Sequence, residues 1–294
     1  MTCPYLRETR VRYCRRAPQR KFLPRAAVSA ENERCSTNGF RGCPVLGEEF
    51  EHTPDGPPCP LLHESLMQYC AASAVVHLVP YTDAPLSQCG SGGYRYCDLY
   101  LELTHPALEA AGKGIAFEEG LFYTANHWWV DLTGEGACHL GLDAFAVRMI
   151  GEPARIDYAT RGGAARPVAV ITAAGTNWQV AFPERAQVIR CNLYLRSNPA
   201  RLLEEPYTRG WLFEAELSRE TEKRLRDVCR TGLATADWLE SETRRVNDRL
   251  QQGTACAPDG GVFESGVLAA LPREDAVALF HEFLTPVPGE RGEG

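Results

Sequence analysis

The sequence has no segment that would cross a membrane and none that resembles an export signal. No apolar run in the 294 residues approaches the ~18 residues of a membrane-spanning helix. The N-terminal residues MTCPYLRETRVRYCRR contain no apolar core of the kind that a signal peptide needs. An excess of basic charge is also missing, because the formal net charge is −7. We therefore expect a cytoplasmic protein without a membrane span and without a nucleic-acid partner.

Familiar catalytic motifs are absent as well. The chain contains no G-x-S-x-G nucleophile elbow, no phosphate-binding P-loop, no H-E-x-x-H metalloprotease motif and no G-x-G-x-x-G dinucleotide motif. It also contains no C-x-x-C redox pair. These absences favour a protein that is not an enzyme, although they leave catalysis by isolated carboxylates open.

What the N-terminal third does contain is an internal repeat of four cysteines. The first copy has Cys3, Cys14, Cys35 and Cys43, and the second copy has Cys59, Cys70, Cys89 and Cys97. The gaps are 11, 21 and 8 residues in the first copy and 11, 19 and 8 in the second. Each copy also begins with Cys-Pro and has a tyrosine directly before its second cysteine. A duplication explains this agreement, so the set of four cysteines is the unit that was duplicated.

Each copy is too short to be stable through an apolar core alone. About 41 residues with several prolines and glycines cannot bury enough apolar surface to offset the entropy of the chain. Four thiolates around one metal would stabilise such a module, since metal binding contributes ~10 kcal/mol or more of folding free energy in small zinc modules. We therefore predict two metal-binding modules, residues 1–46 and 59–98, whose ligands are the eight cysteines of the repeat.

The spacing of the cysteines leaves the identity of the metal open. Structural zinc sites draw their ligands in C-x2-4-C pairs, and no such pair is present. Some iron–sulfur motifs carry a Cys-Pro step, as at Cys3, Cys43 and Cys59, so we favour a [4Fe–4S] cluster over zinc in both modules. Disulfides and buried free thiols are the alternatives, although nothing in the sequence indicates the oxidising compartment that disulfides require.

A second pattern runs from residue 121 to residue 216. An aromatic opening holds Tyr123, His127 and Trp129, a short helix has the sequence Gly141–Ala146, and the segment closes with PYTRGWL from Pro206. This succession resembles the H protein of the glycine cleavage system, a relative of the lipoyl domains. The resemblance implies a flattened β-barrel or sandwich, protein partners, and a hairpin that presents a lipoyl-lysine. We expect His127 to support packing rather than catalysis.

The hairpin departs from the pattern of that family. Counting back from Phe182-Pro183, which takes the place of the family's Ala-Pro, the resemblance puts the modified lysine at Gly175. The chain has three lysines, and none lies between His127 and Phe213: Lys21, Lys113 and Lys223. Since a lipoyl amide needs a primary amine, we predict that the protein carries no lipoate.

Beyond residue 216 the hydrophobic pattern becomes helical. Apolar residues recur at helical spacing with a break near Thr231-Gly232, and a further helix is predicted from Arg273 to Leu284 with Pro272 in its first position. The predicted fold class is α+β. The predicted order is module 1 (1–46), linker (47–58), module 2 (59–98), a connector with a short apolar alternation (99–120), the H-like domain (121–216), C-terminal helices (217–286) and a disordered tail (287–294).

These features support two kinds of function. One is a scaffold or interaction subunit, in which an H-like domain without lipoate docks on a protein partner and two metal modules extend it. The alternative is an iron–sulfur electron-transfer subunit of a larger complex, or a redox sensor. Zinc has no redox chemistry, so the identity of the metal separates these hypotheses. The oligomeric state is left open.

Overall fold

The computed structural model describes residues 2–16, 23–24, 34–46, 56–73, 75, 77–79, 88–104, 114–132, 137–159, 163–252 and 262–286. They fall into two units, Met1–Leu103 and Thr104–Gly294. The predicted tail at 287–294 lies outside the described residues, as does most of the predicted linker. Within the described residues, no helix is long and apolar enough to span a membrane.

The first unit is built on one antiparallel sheet to which both cysteine repeats contribute. Its strands are β1 (Leu6–Cys14), β2 (Leu23–Pro24), β3 (Leu62–Cys70) and β4 (His77–Val79), in the order β2-β1-β3-β4. β1 and β3 occupy equivalent places in the two copies, and they pair along their whole length, from Leu6 opposite Cys70 to Cys14 opposite Leu62. The sequence predicts two separate modules, but this ladder joins the two copies into a single sheet.

Each copy continues from its strands into a pair of 3-10 turns. The turns are Arg34–Ser36 with Asn38–Gly42 in the first copy, and Gln88–Gly90 with Gly92–Tyr96 in the second. Thr37 and Ser91 cap the second turn of each pair, because their hydroxyls accept from the backbone N–H groups of Gly39 and Gly93. A helix follows the second copy, α1 (Asp98–Thr104), where the sequence predicts an apolar alternation.

The second unit contains two antiparallel sheets. The larger sheet has the order β11-β12-β7-β6-β5 and the smaller has the order β10-β9-β8. Their strands are β5 (Phe122–Tyr123), β6 (Trp128–Asp131), β7 (Cys138–Leu142), β8 (Pro153–Ala159), β9 (Val168–Ala173), β10 (Thr176–Ala181), β11 (Gln187–Cys191) and β12 (Phe213–Glu216). Trp128, Phe182 and Phe213 are buried in the core of this unit.

The described residues of the second unit also form seven helices. They are α2 (Ala144–Ile150), α3 (Tyr194–Ser197), α4 (Arg201–Glu204), α5 (Arg219–Val228), α6 (Leu233–Gln252), α7 (Val267–Ala270) and α8 (Arg273–Leu284). α5 and α6 are separated at the predicted break, where Gly232 has a positive φ of 55°. α8 has the predicted bounds, with Pro272 as its N-cap rather than its first helical residue. The observed mixture of sheets and helices confirms the predicted α+β class.

The C-terminal helices complete the core of the second unit. The ring of Phe280 in α8 stacks on Trp178 of β10, with centroids 4.9 Å apart. Phe145 of α2 packs against Phe263 and Phe283, at 5.2 and 5.7 Å. Because aromatic side chains bury large apolar areas, these contacts make the helices part of the same core as the sheets.

A buried histidine gives this unit a defined response to acid. His139 lies in β7 with 4% of its surface exposed, and burial lowers its pKa from 6.5 to about 4. Between these two values the unfolded chain binds a proton that the native state does not. The stability that is present above pH 6.5 is therefore lost as the pH falls toward 4.

We predict that His139→Gln reduces this pH dependence. Between pH 7.5 and 4.5 the wild-type protein should lose about 2 kcal/mol more unfolding free energy than the variant, since one pKa unit corresponds to about 1.4 kcal/mol. The measurement is urea unfolding followed by tryptophan fluorescence, because all five tryptophans lie in the second unit. Parallel losses for the two proteins would contradict the prediction.

Candidate functional site

The β9–β10 hairpin lies where the resemblance predicts the hairpin that presents a lipoyl-lysine. Thr176 pairs with Ala173, so the turn consists of Ala174 and Gly175. Both residues have positive φ angles, 47° and 75°, as a type I′ turn requires. Both are exposed, and a Cβ atom added at Gly175 would meet nothing within 4 Å. A side chain at this tip would therefore extend freely into solvent.

The tip provides no amine. Lys223, in α5, is the one lysine among the described residues, and Lys21 and Lys113 lie outside them. Gly175 lies in the turn where the family resemblance predicts the lipoyl-lysine. The arrangement can expose a backbone turn to a partner protein, but it cannot hold an acyl group through an amide at that position.

The opening motif forms a buried histidine–aspartate pair. His127 follows a tight turn, in which its N–H donates to the carbonyl of Thr124 at 3.2 Å, and its φ is 62°. Its Nδ1 lies 2.8 Å from Oδ2 of Asp143. The other carboxylate oxygen of Asp143 accepts from the N–H of Ala146 at 2.9 Å and so caps α2. One carboxylate thus connects the opening turn to the following helix.

The surroundings of His127 indicate a packing role. Its ring is fully buried and lies between the rings of Phe145 and Trp238, with centroids 4.0 and 4.6 Å away. Nε2 has no hydrogen-bond partner among the described residues, and Oε2 of Glu242 lies 4.0 Å from it. A ring covered on both faces offers no access to a substrate, which agrees with the sequence-based expectation. The partner Asp143 could not be identified from the sequence, because 16 residues separate the two positions.

The exit motif, PYTRGWL from Pro206, forms hydrogen bonds with the opening motif and with the start of α2. The indole N–H of Trp129 donates to the carbonyl of Pro206 at 3.1 Å. The hydroxyl of Tyr207 accepts from the N–H of Ala144 at 2.9 Å and donates to the carbonyl of Ala116 at 2.8 Å. Glycine is required at Gly210, where an added Cβ would lie 2.7 Å from a backbone oxygen. The opening, helix and exit motifs are therefore joined to one another by buried hydrogen bonds.

The eight predicted metal ligands all lie in the first unit, as thiols that form no disulfide among the described residues. Cys3 and Cys59, the first cysteine of each copy, are buried, and the other six are half-buried. Among the described residues, no three cysteine, histidine, aspartate or glutamate side chains are close enough to hold a metal ion. The metal sites therefore stay a prediction.

Neighbouring thiols do act on one another in this unit. The pKa of the Cys89 thiol is raised, first by burial and then by the proximity of Cys3, Cys97 and Cys70. Cys3 belongs to the first copy, whereas the other three belong to the second. The sequence does not predict that cysteines of different copies lie together. Its one hint is that 11 residues separate the first and second cysteines in both copies, which is consistent with β1 and β3 having the same length.

Comparison with known proteins gives one consistent result. The family described as Glycine cleavage H-protein matches residues 121–231. The glycine cleavage system H protein of Mycolicibacterium vanbaalenii is 30% identical over 130 residues, which cover 43% of this chain and 92% of that protein. The corresponding protein of Aliivibrio fischeri is 28% identical over 111 residues, 36% of this chain and 86% of its own length.

A solved structure also matches. The crystal structure of a glycine cleavage system H protein from Mycobacterium marinum is 19% identical to this chain, with a TM-score of 0.29. The match covers 38% of this chain and 99% of that one. The family match at residues 121–231 lies within the second unit.

We predict that Asp143→Ala destabilises the second unit by about 2–4 kcal/mol. The variant loses the cap of α2, typically about 1 kcal/mol, and leaves a buried imidazole N–H unpaired, about 1–3 kcal/mol. Asp143→Asn should cost less, because its amide oxygen still accepts from Ala146. Urea unfolding measures both, with Asp248→Ala, at an exposed position of α6, as the control. Equal losses for Ala and Asn would contradict the capping role.

Proposed function

Through residues 121–231 the chain belongs to the glycine cleavage H-protein family, and from this we propose that it is an H-like interaction subunit that carries no lipoyl group. Its H-like unit docks on a protein partner, and its cysteine unit holds two metal centres. The protein acts by positioning rather than by transferring a group.

One contrast supports this proposal: the family-like opening, helix and exit motifs are joined by buried contacts, whereas the hairpin turn of Ala174 and Gly175 contains no lysine. His127, Trp129, Asp143 and Tyr207 make the buried contacts that hold the opening, helix and exit motifs together. The turn of the β9–β10 hairpin consists of Ala174 and Gly175. We propose that the unit keeps its outer surface without the reactive group and that this surface binds a partner.

The partner that best fits this surface is another protein of a glycine cleavage system. Family membership supports this class of partner, and large apolar side chains are exposed on the H-like unit beside the end of β11. Ile189, Leu193 and Tyr194 have 49%, 59% and 44% of their surface exposed. Exposed apolar side chains grouped in one short segment are typical of interaction surfaces.

The metal centres are supported by the repeat itself. Two copies of a four-cysteine set lie in a unit whose described residues include few large buried apolar side chains, among them Val11, Phe40 and Leu101. A unit of this kind gains stability from metal binding. We favour [4Fe–4S] clusters over zinc because of the Cys-Pro steps at Cys3 and Cys59.

The same Cys-Pro steps favour a second candidate function. If both centres are iron–sulfur clusters, the protein is an electron-transfer subunit that uses its H-like unit to dock on a redox partner, or a sensor of oxidants. A colourless zinc protein would exclude this alternative, because zinc does not change its oxidation state.

We predict that the native chain is not lipoylated. Intact-mass analysis of protein from cells with active lipoylation should show the unmodified mass, because the hairpin tip has no amine. Gly175→Lys should gain the mass of one lipoyl group, since a side chain at the tip is unobstructed. Lys223→Arg serves as the control for modification elsewhere. A lipoyl adduct on the wild-type chain would overturn the prediction.

We predict two metal centres per chain in protein purified without oxygen. Iron and sulfide near four of each per centre, with broad absorption around 400 nm, would identify clusters and favour electron transfer. About two zinc ions and no absorption in that range would identify structural sites. Wild-type protein that contains neither metal would refute the metal-binding part of the proposal.

We predict that the purified chain binds a protein component of the glycine cleavage system of its own organism. Ile189→Ser combined with Leu193→Ser should weaken this binding at least tenfold, because about 1.4 kcal/mol of lost apolar burial corresponds to a factor of ten. Isothermal titration calorimetry measures the affinity. Leu233→Ser is the matched control, since Leu233 is 83% exposed at the start of α6. No binding to any component would refute this choice of partner.

A further inference from the structure

The backbone of the first unit brings cysteines of different copies together. The N–H of Cys3 donates to the carbonyl of Cys89 at 2.8 Å. The N–H of Cys59 donates to the carbonyl of Cys35 at 2.8 Å. These two hydrogen bonds are equivalent, because each joins the first cysteine of one copy to the third cysteine of the other. The first cysteines therefore lie beside the 3-10 turns of the opposite copy.

The second cysteine of each copy also lies near the first cysteine of the other copy. The N–H of Leu6 donates to the carbonyl of Cys3 at 3.0 Å, and Leu6 is opposite Cys70 in the ladder. In the other half, the N–H of Leu62 donates to the carbonyl of Cys59 at 2.9 Å. Leu62 in turn is opposite Cys14. The ladder thus places the first cysteine of each copy near the second cysteine of the other copy.

The fourth cysteines are fixed to the third by the 3-10 turns. The N–H of Cys43 donates to the carbonyl of Phe40 at 2.9 Å, which closes the turn that follows Cys35. The N–H of Cys97 likewise donates to the carbonyl of Tyr94, at 3.0 Å.

Side-chain packing gives the same grouping in one half. Buried Cys59 packs in one apolar cluster with Phe40, Leu46, Cys35 and Cys43, which all belong to the first copy. In the other half, Cys3 of the first copy is buried as well, and its N–H donates to the carbonyl of Cys89 in the second copy at 2.8 Å. Each group of four is therefore assembled from three cysteines of one copy and one of the other.

We infer that the two metal centres are composite sites, each completed by the first cysteine of the other copy. One site uses Cys3, Cys70, Cys89 and Cys97, and the other uses Cys14, Cys35, Cys43 and Cys59. This inference rests on the proposed metal centres and specifies their ligands. The described side chains do not themselves form such a group, so metal binding requires the thiols to turn toward one another about their single Cα–Cβ bonds, on a backbone whose hydrogen bonds bring the four cysteines together. Four thiolates suit either a cluster or a zinc ion.

Two double variants distinguish composite sites from sites formed within one copy. Cys3→Ser with Cys70→Ser removes two ligands of one composite site, so one centre per chain should remain. Cys3→Ser with Cys14→Ser removes a ligand from each composite site, so neither centre should remain. Sites formed within a copy give the reverse, because Cys3 and Cys14 then share a site. Each variant has two substitutions and shares Cys3→Ser, so they are matched.

The readout is iron, sulfide and zinc per chain after gel filtration with a chelator, since a site that lacks a thiolate binds metal weakly. Tryptophan fluorescence verifies that the second unit remains folded. The inference is supported if the Cys3→Ser, Cys70→Ser variant keeps one metal centre and the Cys3→Ser, Cys14→Ser variant keeps none. The reverse result overturns the composite arrangement but is consistent with two metal centres, each formed within one copy. Wild-type protein without metal overturns the metal centres themselves.

A measurement on the wild-type chain covers the case in which the variants do not fold. Metal-free protein is oxidised briefly with diamide, and the disulfide-linked peptides are identified by mass spectrometry. Cross-links between Cys3 and Cys89 and between Cys35 and Cys59 are expected. Cross-links confined to cysteines of the same copy would overturn the composite arrangement.

Discussion

The antiparallel ladder between β1 and β3 is the interaction on which the N-terminal unit depends. It joins nine residues of one repeat to nine of the other, and every other feature of the unit is placed relative to it. The ladder sets each first cysteine beside the turns of the opposite copy and each second cysteine beside that first cysteine. Neither copy contains a complete set of neighbours without the other, so the folding of the two copies is expected to be coupled.

The H-like unit follows a different principle, in which the scaffold and the reactive tip are separable. The buried hydrogen bonds of Asp143, Trp129 and Tyr207 join the opening, helix and exit motifs, and none of them involves Gly175 at the hairpin tip. A different residue at the tip would therefore leave these contacts in place. Gly175 in fact suits its turn, because a positive φ is more favourable for glycine than for lysine.

Local features were predictable from the sequence. α8 was predicted from periodicity with its observed bounds, and the break at Gly232 from the residue that permits a positive φ. The family resemblance predicted the position of the hairpin, since it specifies a count back from Phe182-Pro183. The sequence predicts an apolar alternation where α1 lies, because a seven-residue helix with one buried side chain, Leu101, leaves little periodic signal.

Long-range partners were not predictable from the sequence. Nothing in the pattern of β1 indicates that it pairs with the equivalent strand of the other copy rather than within its own copy, because both alternatives satisfy the same apolar residues. Asp143 has the pattern of a helix cap, and its second role toward His127 depends on a tertiary contact. Contacts between residues far apart in the sequence therefore determine the grouping of the cysteines and the pairing of His127 with Asp143.

The register of the ladder has a consequence for the origin of the unit. Arg10 is opposite Leu66, its own equivalent in the second copy, so the two copies are related by a local two-fold axis between these residues. A single copy would therefore present β1 as a free edge, able to pair with β1 of an identical chain and to exchange first cysteines with it. The present chain has the architecture of a symmetric, segment-exchanged homodimer whose two subunits have been fused. Fusion makes the association intramolecular, so that both shared cysteine groups form at any protein concentration.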